Sequence, residues 1–162
     1  RTVRRRTLSA AWHRLADGVP HVRQTYNWDC GLACVLMSLR AMGATTGCDL
    51  KVLRQLCPTT SIWTVDLAYL LRRFGADVSF CTITLGANPE FASESFYRDN
   101  LNEDCARVER LFDRAASEGI SIERVSVELD RLKDYALSGE YLMIILVDKQ
   151  KLMAASHFIG GS

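Results

Sequence analysis

Apolar positions along the first half of the chain recur at helical spacing. Leu32, Val35, Leu36 and Leu39 fall at i, i+3, i+4 and i+7, which predicts a strong helix from Cys30 that Gly43 ends. Asp49 to Leu56 predicts a second helix, stopped before Pro58. Leu67, Leu70, Leu71 and Phe74 make the stripe of a third, with Thr64 as its cap and Gly75 as its stop. Val78 to Leu85 is rich in β-branched and aromatic residues and predicts a strand. Gly86 to Asn100 reads as irregular and contains Asn88-Pro89. Val108, Leu111, Phe112 and Ala115 then mark a fourth helix with Gly119 behind it. A shorter helix over Leu129 to Leu137 ends at Ser138-Gly139. The uncharged run Tyr141 to Val147 predicts a buried strand, and His157-Phe158-Ile159 begins another. Near the start, Ser9 to Leu15 fits a short helix, and Pro20 to Gln24 is extended because Pro20 cannot sit inside a helix. Helices come first and strands late, so the expected class is α+β, with N-terminal helices packed on a late antiparallel sheet.

Composition narrows the functional classes. The 162 residues are 48% hydrophobic and 24% charged, which suits one domain over residues 1–162 with a basic arm at 1–8. Twenty basic residues against 19 acidic ones leave a net charge of +1, so no nucleic-acid partner is expected. No apolar run approaches the ~18 residues of a membrane span, and no membrane partner is expected. Neither glycine-rich phosphate loop occurs. None of the six cysteines forms a C-x-x-C pair, which argues against a zinc ribbon. Most of the six read as small buried hydrophobes in a reducing compartment, hence a cytoplasmic expectation, although an even count also permits three disulfides. The chain runs from Arg1, not Met, to Gly160-Gly161-Ser162, and reads as a fragment truncated at its C-terminus.

The segment from Gln24 to Cys34 carries the most chemistry. Cys30 falls at the first turn of the strong helix, where unpaired N–H groups and the positive dipole end favour a thiolate. A thiolate is the better nucleophile. Gly31 beside it leaves room for a substrate carbonyl. Gln24, six residues upstream, is placed to donate to an oxyanion forming near Cys30. Gln, then Cys at a helix start, then His on a later strand is the order of a papain-type cysteine hydrolase. The competing reading is a buried structural cysteine, the usual state of this residue type. Of the three histidines, His157 is the expected base by chain order, needed to take the Cys proton and return it to the leaving group. The alternative makes His157 a loop residue and puts the true base beyond Ser162, because no orienting Asp or Asn follows His157 in the five residues to Ser162. His13 reads as a solvated helix residue and His21 as a local hydrogen-bonding one.

The sequence also resembles a known family. The residues Val19 to Gln24, then Asn27-Trp28-Asp29-Cys30-Gly31-Leu32-Ala33-Cys34, then Trp63 to Leu71, and Gly139-Glu140-Tyr141-Leu142 running into Leu146-Val147-Asp148, look like the guanylyl-cyclase-domain-containing proteins of plants and animals. That family is in turn similar to the bacteriocin-processing, double-glycine cysteine peptidases. The resemblance implies a papain-like fold, Cys30 at the nucleophile position and Gln24 at the oxyanion position. It also implies a second chemistry, conversion of GTP to cyclic GMP. The implied cyclase centre is Ser61 to Asp66 and the helix behind it, with Asp66, Arg72 and Arg73 holding GTP and Mg²⁺ or Mn²⁺. Against that, Leu67, Leu70, Leu71 and Phe74 read as the packed face of an ordinary core helix.

Three readings follow. The first is a cysteine hydrolase acting on a peptide or other acyl bond without a cofactor. The second is a guanylate cyclase. The third is a non-catalytic binding module on a peptidase-like scaffold.

Overall fold

The computed structural model describes residues 18–44, 47–87 and 101–148, with side chains from 103 in the last stretch. Five helices and two strands follow in the order α1 (Cys30–Ala41), α2 (Leu50–Leu56), α3 (Thr64–Arg73), β1 (Val78–Thr82), α4 (Leu101–Arg114), β2 (Ile120–Arg124) and α5 (Leu129–Ser138). The predicted helices after residue 29 are all present, with ends shifted by a few residues. The expected helix at Ser9 to Leu15 and strand at His157 to Ile159 lie outside the described residues.

The core forms where the apolar stripes meet. Leu32, Val35, Leu36 and Leu39 of α1 are at most 1% exposed and pack against Leu53 of α2 and Leu67 and Leu70 of α3. Asp49 caps α2 by accepting from the Val52 N–H at 2.8 Å. The cap of α3 differs from expectation. Thr64 is the first helical residue, and the Asp66 carboxylate reaches back to the Trp63 N–H at 2.8 Å, closing the helix start from within. Gly75, at φ +84°, takes the left-handed turn that stops the helix, as its position after the stripe predicts.

The two-stranded sheet among the described residues is parallel, whereas the late antiparallel sheet expected from the sequence includes residues 157–159, outside the described residues. Strands β1 and β2 pair from Val78↔Ile120 to Thr82↔Arg124. A parallel pair needs a long crossover, and α4 lies within it. The Ile120-x-Ile122 alternation of β2 was too short to stand out beside the helical stripes. Val108 of α4 is fully buried against Trp63 and Val65, while Ala115 and Ile120 are buried against Ala68. Thus one β–α–β unit sits on α3.

The run Tyr141 to Val147 is the main departure from expectation. It forms no strand among the described residues. Tyr141, Ile145, Leu146 and Val147 are each more than half exposed, and Ile144 packs against the main core. An apolar run with no sheet beside it has no surface on which to bury both faces. Helix α5 likewise buries none of its residues.

Candidate functional site

Cys30 is the first residue of α1 and is exposed, whereas Cys48 and Cys57 are buried. The residue before it organises its surroundings. Asp29 is fully buried, and its Oδ1 accepts from the Thr25 N–H at 3.0 Å and the Tyr26 N–H at 2.9 Å. Its Oδ2 accepts from Arg54 Nη1 at 3.0 Å. A buried carboxylate is tolerated because these charge-assisted bonds replace its water. The guanidinium of Arg54 also lies 5.0 Å over the Tyr26 ring, and Tyr26 stacks on Trp28 at 5.5 Å. The loop that leads into Cys30 is therefore pinned from inside by one side chain.

Gln24 and Gly31 are placed differently from expectation. The Gln24 side-chain amide donates to the Tyr26 carbonyl at 2.7 Å, and no hydrogen bond joins it to Cys30. A Cβ added to Gly31 would meet Leu67 Cδ2 at 2.9 Å. Its missing side chain lets α1 approach α3, and the room expected for a substrate is filled by leucine. Cys34, one turn beyond Cys30, has its thiol pKa raised by burial and by the neighbouring Cys30 sulfur. His21 is exposed. His157 and His13 lie outside the described residues, so Cys30 and its expected base are not seen together.

The implied cyclase residues do not converge. Asp66 sits in the first turn of α3, buried, with its second oxygen paired to Arg107 Nη1. Arg72 lies about 9 Å further along the axis at ~1.5 Å rise per residue. There it donates to the Glu118 and Ala76 carbonyls at 3.2 and 3.4 Å and pairs with Asp77 at 3.5 Å. Arg73 is exposed in the last turn. Asp66 caps one end of the helix and Arg72 ties down the other.

The chemistry instead gathers around Arg107 of α4. Its guanidinium bonds Asp66, the Ser61 carbonyl at 3.0 Å and Asp104 Oδ1 at 3.1 Å. The Ser61 hydroxyl donates to the other oxygen of buried Asp104. Burial of the guanidinium opposes its charge, but its hydrogen bonds and charge pairing with Asp66 and then Asp104 win, and its pKa is raised. Beside this network opens a cavity of about 560 Å³, lined by Trp28, Arg54, residues 57–60, Glu103, Asp104 and Arg107. Cys57 on its wall is pushed up to about 12 by burial and then by the Asp66 charge.

Sequence reasoning missed Arg54, Glu103, Asp104 and Arg107. One signal was available. Asp104 stands in register with Val108, Leu111 and Ala115, on the face that α4 turns to the core. A carboxylate on a buried face requires a partner. No group of three His, Cys, Asp or Glu side chains suited to a metal occurs among the described residues. Both oxygens of Asp104 are already engaged, which leaves Glu103 alone in the cavity. Among the described residues, the acids do not make a site for the divalent cation that a cyclase requires.

A conserved-family model described as guanylylate cyclase matches residues 19–158, and the chain belongs to that family. It is 52% identical over 134 residues to a protein named guanylyl cyclase 1 from Arabidopsis thaliana, a match covering 83% of this chain and 48% of the relative. The chain thus spans about half the length of that curated relative. No solved structure matches it. Among the described residues, no helix is long and apolar enough to cross a membrane.

Proposed function

We propose that Cys30 is the nucleophile of a cysteine-hydrolase site acting on a peptide or other acyl bond, on a papain-like scaffold. The supporting observation is an exposed thiol at the first position of a twelve-residue helix, behind a loop held by fully buried Asp29. A pinned loop holds the exposed sulfur in one place for attack. In the step proposed, the sulfur bonds to the carbonyl carbon and the leaving amine takes up a proton. Water then breaks the thioester and releases the acid. His157 is the proposed base, and Gln24, released from the Tyr26 carbonyl, the proposed oxyanion donor.

The test uses the full-length protein. Cys30→Ser abolishes hydrolysis of a fluorogenic peptide set while leaving the melting temperature unchanged, and iodoacetamide labels Cys30 ahead of the other exposed thiol, Cys81. Full turnover by Cys30→Ser, or labelling of Cys30 no faster than Cys81, overturns the reading.

The name of the Arabidopsis relative favours a second reading, formation of cyclic GMP from GTP. It requires Mg²⁺- or Mn²⁺-dependent product that survives Cys30→Ser. Asp66→Ala is a poor probe of this activity, because it removes a helix cap and strips Arg107 of a buried partner.

A further inference from the structure

The cavity beside Arg107 belongs to neither set of expected catalytic residues. Its volume of about 560 Å³ lies within the range of small-ligand sites. Both arginines on its wall are committed, Arg54 to Asp29 and the Tyr26 ring, Arg107 to Asp66 and Asp104. In the lining, the two guanidinium charges of Arg54 and Arg107 balance the carboxylates of Glu103 and Asp104, while Asp29 and Asp66 pair the arginines from outside it. Glu103 is the acid in it with no ion pair among the described residues, and it is exposed at the cavity wall. The indole of Trp28 lines the same space. An aromatic ring and a carboxylate with no ion pair, beside arginines whose charges are already committed, suit a cation.

We propose that this cavity is a recognition site for a basic side chain, the guanidinium or ammonium group of an arginine- or lysine-containing peptide. The cation lies against Trp28 and pairs with Glu103. Trp28 is two residues from Cys30, and Arg54 on the rim holds Asp29, the residue before it. Resting on the hydrolase reading, the cavity then selects peptides with a basic residue near the bond brought to Cys30.

Binding is measured on the full chain by indole N–H chemical shifts, with acetyl-arginine amide, acetyl-glutamate amide and metal-free GTP as separate probes. Acetyl-arginine amide gives a saturable shift of the Trp28 signal that weakens with added salt, and acetyl-glutamate amide gives none. Glu103→Gln lowers the affinity about fivefold, the scale of one partly screened ion pair, and Glu103→Lys lowers it further. No saturable shift, an undiminished affinity in Glu103→Gln, or preference for either anionic probe overturns the proposal. The same titration on Cys30→Ser separates the two claims. Binding without turnover by the wild-type protein sinks the hydrolase reading alone, and turnover without preference for basic peptides sinks the cavity assignment alone.

Discussion

Cys57 shows how one buried atom leaves a mark in solution. Its thiol has an ordinary pKa of 9.0 and is pushed up to about 12 in the fold, first by burial and then by Asp66. Below pH 9 both the folded and unfolded chains hold the proton. Between pH 9 and 12 the unfolded chain releases it and the folded chain does not, so stability falls as pH rises. The slope from this group is at most about 1.4 kcal/mol per pH unit. Urea unfolding at pH 9 and pH 10.5 should show a shallower decline in Cys57→Ala than in wild type. Some slope persists, because burial also raises Cys34 and Cys48. An unchanged slope would mean that the thiol is solvated. Cys30, by contrast, meets solvent, whereas Cys57 meets the core.

Among elements, the junction of α1 and α3 depends on the absence of a side chain at Gly31. A methyl group there would press on Leu67, which is 7% exposed and has little room to yield. Overpacking costs about 1–3 kcal/mol, and exchanging glycine for alanine in a helix returns up to about 1 kcal/mol. Gly31→Ala should therefore lose about 1 kcal/mol net in urea unfolding. Adding Leu67→Val should recover part of that loss, since the two sites share one contact. Strictly additive losses would remove Leu67 from the explanation. The helices themselves were legible because each buries a periodic stripe. Strand β2 and the capping role of Asp66 were not. The first has only two alternating isoleucines, and the second depends on how the chain turns at Trp63.

For the molecule as a whole, the uncovered run from residue 141 to 147 and the unburied α5 form the weakest part of the described fold. Leu146 is 65% exposed, so Leu146→Lys should change the folding free energy by less than about 0.5 kcal/mol. It should also reduce self-association measured by light scattering, because exposed apolar runs recruit other chains. A large loss of stability would show that this run is covered in solution.

The pattern of residues determined by itself which segments are helical, where glycine stops them, and that an unusual cysteine stands at a helix start. These are local properties, governed by spacing within one turn or one cap. Only the tertiary structure decided that the sheet is parallel, that Gly31 receives a leucine, and that Asp66 closes a helix while Arg72 binds carbonyls at its far end. It also decided that Arg54, Asp104 and Arg107 line one open cavity beside the cysteine loop. The contacts around that cavity that reach between elements join residues 25 to 46 positions apart, and no periodicity in the chain encodes a partner at that distance.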